Sequence, residues 1–100
     1  MKSPHNDYLK LLRSYLSGAI TGEELQRCYL EMFKTEDRAM SEKLFGVLDE
    51  VFGDIDSYCP DPILLAELRK QRGNWHLDDE ALRVRVENAV QRIEAIGDQS

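Results

Sequence analysis

Apolar residues recur at three- and four-residue intervals along almost the whole chain, and no stretch keeps the two-residue alternation of a strand. That periodicity restricts the fold to packed helices. Its clearest instance is Leu25, Cys28, Tyr29, Met32 and Phe33, an apolar stripe down one helical face. Tyr8, Leu9, Leu11, Leu12, Tyr15 and Leu16 repeat in the same way and predict a first helix of about Asn6 to Ser17. Gly18 should stop it, since glycine takes positive φ at a helix C-terminus without steric cost.

Local signals mark the other boundaries. Thr21 with Glu24 fits a capping box, in which each side chain satisfies the other residue's orphan amide, and the second helix should run to about Lys34. Ser41 is the expected N-cap of a third helix, with Glu42 in its first turn and Leu44, Phe45, Val47, Leu48, Val51, Phe52 and Ile55 on its buried face. Gly46 and Gly53 weaken its interior, so a bend or unwinding is expected near Gly53. Cys59-Pro60-Asp61-Pro62 breaks the chain. Asp61 and Pro62 suit the start of a short helix through Ile63, Leu64, Leu65 and Leu68, ended by Gly73 and Asn74, with Trp75 closing over the core. The last helix is expected from Asp78 or Asp79 to Gly97, with Leu82, Val86, Ala89, Val90, Ile93 and Ile96 facing inward.

These segments predict an all-α fold: an antiparallel four-helix bundle with a longer connection, Asp56 to Leu77, before the last helix. One hundred residues suit a single domain spanning 1–100 and bury a core without disulfides or metal. Cys28 and Cys59 are expected as reduced thiols, Cys28 buried on its stripe. His5 falls in a terminus expected to fray. The first residues lack an apolar leader core and no stretch is long enough to span a membrane, so the chain is expected in the cytoplasm.

Charge is the second constraint. From Leu44 to Leu68 the chain carries Asp49, Glu50, Asp54, Asp56, Asp61 and Glu67, and neither Lys nor Arg. The remaining acids and bases balance at 13 each, so the whole formal charge of −6 lies in one quarter of the chain. Surface fields decay over roughly 8 Å at physiological salt, so a local imbalance acts on a partner more strongly than a diffuse total. A cationic partner is therefore expected, against the plainer alternative of a solvated acidic face. A sequence pI near 4.8 argues against direct binding of nucleic acid or of an anionic membrane surface, both of which need clustered cations.

No catalytic constellation emerges. Cys59 and His76 supply a thiol and an imidazole, but nothing in the sequence positions an oxyanion hole. His76, Asp78 and Asp79 are three possible metal ligands, yet both aspartates serve as helix caps. Asp54-Ile55-Asp56 lacks the glycine and the glutamate of a calcium loop, and no glycine-rich phosphate loop is present. The chain reads as a binding protein, with no cofactor, no metal and no enzymatic activity expected.

Three segments resemble the colicin D immunity protein family. They are Tyr15-Leu16-Ser17-Gly18-Ala19-Ile20-Thr21 followed by Glu24, then Glu42-Lys43-Leu44-Phe45 leading into the acidic helix end, and Leu77-Asp78-Asp79 with Leu82-Arg83-Val84 and Val86. Their order and separation carry the resemblance from Leu9 to Ile96; the stretch Cys59 to Trp75 is longer than the family's type member has. The resemblance implies a cytoplasmic four-helix protein that neutralises a tRNA-cleaving bacteriocin or contact-dependent inhibition toxin domain; the chain itself is expected to be monomeric when free. It further implies that carboxylates at the end of the third helix stand in for RNA phosphates in the toxin's basic cleft. Here those positions are Asp49 or Glu50, Asp54 and Asp56, with Asp61 beyond them and Tyr58 as a candidate aromatic anchor. The alternative is an acidic helical adaptor or regulator with an unrelated protein partner.

Overall fold

Residues 4–59, 61–72 and 77–96 are described by a computed structural model. Five helices follow one another: α1 (Pro4–Leu16), α2 (Gly22–Lys34), α3 (Glu42–Asp56), α4 (Pro62–Arg72) and α5 (Asp79–Ile96). No strand occurs among the described residues; one isolated parallel bridge joins Tyr58 to Leu77. The expected positions of Pro60, Gly73, Asn74, Trp75, His76 and Gly97 lie outside the described residues.

The helix ends are made by the groups the sequence offers. At the end of α1, Gly18 takes φ 86°, its N–H donates to Tyr15 O at 3.1 Å, and Ala19 N–H donates to Ser14 O at 2.9 Å, a Schellman closure. Thr21 Oγ1 accepts from Glu24 N–H at 3.1 Å while Glu24 Oε1 accepts from Thr21 N–H at 3.1 Å, completing the capping box. Ser41 Oγ caps α3 through Leu44 N–H at 3.1 Å, and Asp78 Oδ1 caps α5 through Ala81 N–H at 2.8 Å.

Helices α1, α2, α3 and α5 form a ring in which α1 packs on α2 and α5, and α3 packs on α2 and α5. Side-chain pairs give their directions. Gln26 early in α2 donates to Ile55 O and Tyr58 O at the end of α3, whereas Phe33 late in α2 packs with tilted rings against Phe45 near the start of α3. His5 bonds Ile93 O at one end of the α1–α5 pair and Tyr15 bonds Asp79 O at the other. Tyr8 early in α1 meets Phe33 late in α2, and Asp54 late in α3 lies near Arg85 early in α5, so all four packed pairs are antiparallel. Tyr8, Leu12, Leu25, Tyr29, Leu48, Ile55, Leu82, Val86 and Ile93 fill the centre. Tyr8 and Tyr29 meet edge to face at 5.4 Å, and the Tyr29 hydroxyl donates to Leu48 O at 2.7 Å.

The short helix expected from Asp61 and Pro62 is present as α4, and the connection that holds it is closed at its base by Leu77 N–H to Ser57 O at 2.9 Å and Cys59 N–H to Leu77 O at 3.0 Å. Other expectations are corrected. Helix α3 runs unbroken past Gly53, because both its glycines lie on the exposed face and tertiary packing of the opposite face sustains it. Phe45 is 51% exposed, lying against Phe33 at the edge of the core rather than within it. Cys28 is exposed, since its stripe is wider than the surface α1 and α3 cover. His5 is not frayed but buried, 2.8 Å from Ile93 O.

Candidate functional site

The six candidate residues follow from the turn of α3 and the chain just after it. Asp49 and Asp56 are seven residues apart, two turns of helix, and both are exposed on the outer face. Gly46 and Gly53 share that face; a Cβ built on either meets nothing within 4 Å. The outer side of α3 is therefore a smooth backbone strip bearing two carboxylates, and among the described residues neither carboxylate has an ion-pair partner.

Glu50 and Asp54, four apart, occupy the side of α3 that faces α5. Glu50 Oε2 lies 2.5 Å from Arg92 Nη1, and Asp54 Oδ1 lies 3.6 Å from Arg85 Nη1. Burial pushes the Asp54 carboxyl up and the Glu50 charge adds to this, while Arg85 and Arg92 hold it down. The four carboxylates that α3 contributes to the acid-rich window thus divide: Asp49 and Asp56 have no ion-pair partner among the described residues, while Glu50, itself exposed, and Asp54 each lie beside an arginine of α5. No local pattern around α3 discloses those arginines, because the α3–α5 pairing is a tertiary fact.

Asp61 is exposed and caps α4, its Oδ1 accepting from Ile63 N–H at 2.9 Å and Leu64 N–H at 3.3 Å. Tyr58 is placed differently from expectation. It is 5% exposed, belongs to the core, and donates its hydroxyl to Asp79 Oδ1. Burial, then the bond to Asp79, push its phenol up. Little of its ring reaches solvent, so it does not project from the surface as an anchor would.

The fold adds carboxylates the sequence window left out. The end of α3 lies beside the first turns of α2 and α5: Gln26 of α2 bonds Tyr58 O at 2.8 Å, and Tyr58 bonds Asp79 of α5. Glu23, Asp79 and Glu80 consequently sit at the same end of the bundle as Asp56. Their sequence signal was their role in first helical turns, which accounts for acids on dipole grounds alone. Among the described residues no group of three or more His, Cys, Asp or Glu side chains is arranged to hold a metal ion, and no helix is long and apolar enough to cross a membrane. What this arrangement offers chemically is fixed negative charge on a rigid support.

Residues 5–93 match the model of a protein family described as bacterial self-protective colicin-like immunity. No curated protein and no solved structure matches the chain.

Proposed function

The chain belongs to the bacterial self-protective colicin-like immunity family and neutralises a cognate bacteriocin, and from that premise we propose how it does so. The toxin domain it blocks is a tRNA-cleaving nuclease with a basic cleft. Carboxylates at the end of α3 enter that cleft as substitutes for RNA phosphates. The observation that carries the proposal is the outer face of α3, where Asp49 and Asp56 alternate with Gly46 and Gly53 and have no ion-pair partner among the described residues.

The physics is direct. A nuclease cleft gathers cations to bind phosphate, and those cations repel one another while the cleft is empty. An apposed acidic surface relieves the repulsion and fills the volume that RNA would take. Because Gly46 and Gly53 carry no side chains, the toxin's backbone or side chains can approach α3 closely between the two aspartates. Glu50 and Asp54 contribute at the edge, and their partners Arg92 and Arg85 must be exchanged for toxin cations or remain as a positive border. Asp61 extends the acidic surface past the helix end.

Electrostatic steering raises association to about 10⁸–10⁹ M⁻¹s⁻¹ at low salt, against roughly 10⁵–10⁶ M⁻¹s⁻¹ for neutral surfaces. Fast capture suits an inhibitor of an enzymatic toxin. The test is charge reversal at the open face. Asp49→Lys with Asp56→Lys should leave circular dichroism and melting nearly unchanged and abolish protection when the toxin domain is co-expressed. Full protection by the double variant would remove this face from the mechanism.

A further inference from the structure

We propose that the groove between the α1–α2 turn and the start of α5 receives an arginine side chain of the toxin domain, a second contact beside the α3 face. The inference rests on the reading of the partner as a basic toxin domain and names a different surface for it. The groove has a volume of about 690 Å³. Its floor is apolar and rigid: Tyr15 is 8% and Tyr58 5% exposed, and Gly22 lets the Tyr58 ring come closer to α2 than any side chain would allow. Ile20, half-buried, adds to this floor.

The rim is acidic. Glu23 from α2 and Asp79 and Glu80 from α5 line it, and the cation there is Arg83. Arg83 is already engaged: its Nη2 donates to Leu16 O at 3.1 Å and its Nε lies 3.3 Å from Glu87 Oε1. Asp79 Oδ1 accepts the Tyr58 hydroxyl, and among the described residues no bond occupies Oδ2.

An apolar trough ending in carboxylates matches one side-chain chemistry in particular. Arginine buries a hydrocarbon stem along apolar surface while its planar guanidinium spans two or more acceptors. Lysine offers the stem but only a point charge, and an apolar side chain would leave the carboxylates without a partner. The groove also continues the α3 surface. Glu80 borders a second hollow lined by Asp78, Val84 and Arg85, and Arg85 pairs with Asp54.

The test uses the full chain. N-acetyl-arginine amide, titrated into isotope-labelled protein, should move the amide signals of Ile20, Gly22, Glu23 and Glu80 most. N-acetyl-norleucine amide, which keeps the stem and lacks the guanidinium, should leave them in place. Glu23→Gln with Glu80→Gln spares the Tyr58–Asp79 bond and should weaken the arginine probe roughly tenfold. The same variant should weaken the complex with the toxin domain roughly tenfold, through faster dissociation.

Equal shifts from both probes, or shifts centred on Asp49 and Asp56, would overturn the groove. Undiminished toxin binding by the groove variant, alongside loss in the Asp49→Lys, Asp56→Lys variant, would overturn the groove and leave the α3 reading standing. The reverse pattern would sustain the groove and sink the α3 reading.

Discussion

A Cβ placed on Gly22 would lie 2.7 Å from the Tyr58 hydroxyl oxygen and 2.8 Å from its ring carbon, closer than side chains tolerate. Tyr58 cannot retreat freely, because its hydroxyl is held by Asp79 and its ring by the core. Gly22→Ala should therefore destabilise the protein by about 1–3 kcal/mol through overpacking. In a Tyr58→Leu background, which removes the colliding atoms, the same change should cost far less. Thermal melts of the four proteins in this cycle check it, and equal costs in both backgrounds would contradict the clash. The two thiols separate in the same local way. Cys28 is exposed and Cys59 buried with its thiol directed to Asp61 O at 3.6 Å. Iodoacetamide should alkylate Cys28 in the native protein and reach Cys59 only on unfolding, as mass spectrometry of native and denatured samples would show.

At the scale of the element, α3 carries two costs without structural benefit. Gly46 and Gly53 lie in regular helix with open space where a side chain would go. Gly53→Ala should stabilise the free protein by about 0.5–1 kcal/mol, read as a higher urea midpoint, because glycine loses more backbone entropy than alanine on folding. The presence of two such residues on the face that also bears Asp49 and Asp56 agrees with a surface shaped for close approach. Helix boundaries were legible in the sequence because each is set by short-range chemistry: Thr21 with Glu24, Ser41, Asp78 and Gly18 all act where they were expected to. Burial was less legible. Apolar spacing marks a helical face but not how much of it neighbours cover, which is why Phe45 and Cys28 emerge at the surface while Tyr58 and His5 are buried. The charge of α3 was legible as a total. Its division between Asp49 and Asp56, open, and Glu50 and Asp54, paired to α5, depends on a contact between segments more than 30 residues apart.

Across the molecule, the same antiparallel ring that buries the core gathers the acidic first turns of α2 and α5 beside the end of α3. The opposite end is fastened by a compact ion network. Arg38 donates through Nε and Nη2 to both oxygens of Glu36 at 2.9 Å, and through Nη1 to Asp7 of α1 at 2.6 Å. Chiefly through its bonds to Arg38, the Glu36 carboxyl is held well below the usual carboxylate range, down to about 2. A carboxyl lowered in the folded state stabilises it above the unfolded value and loses that contribution as pH falls through the folded value. Urea midpoints should therefore decline from about pH 4.5 towards pH 2, with a contribution from Glu36 on the order of 2 kcal/mol. Glu36→Gln should lower stability at neutral pH and flatten that acid limb. If the acidic end steers the toxin domain by charge, as proposed, their association should slow steeply as salt rises. A rate unchanged between low and physiological salt would assign recognition to shape.

A crystal structure of the complex with the toxin domain tests the account most directly. It should show Asp49 and Asp56 seated among lysines and arginines of the nuclease cleft, with α3 backbone at Gly46 and Gly53 in close contact with the toxin. A complex in which both aspartates face bulk water, with the toxin bound against another surface, would contradict it.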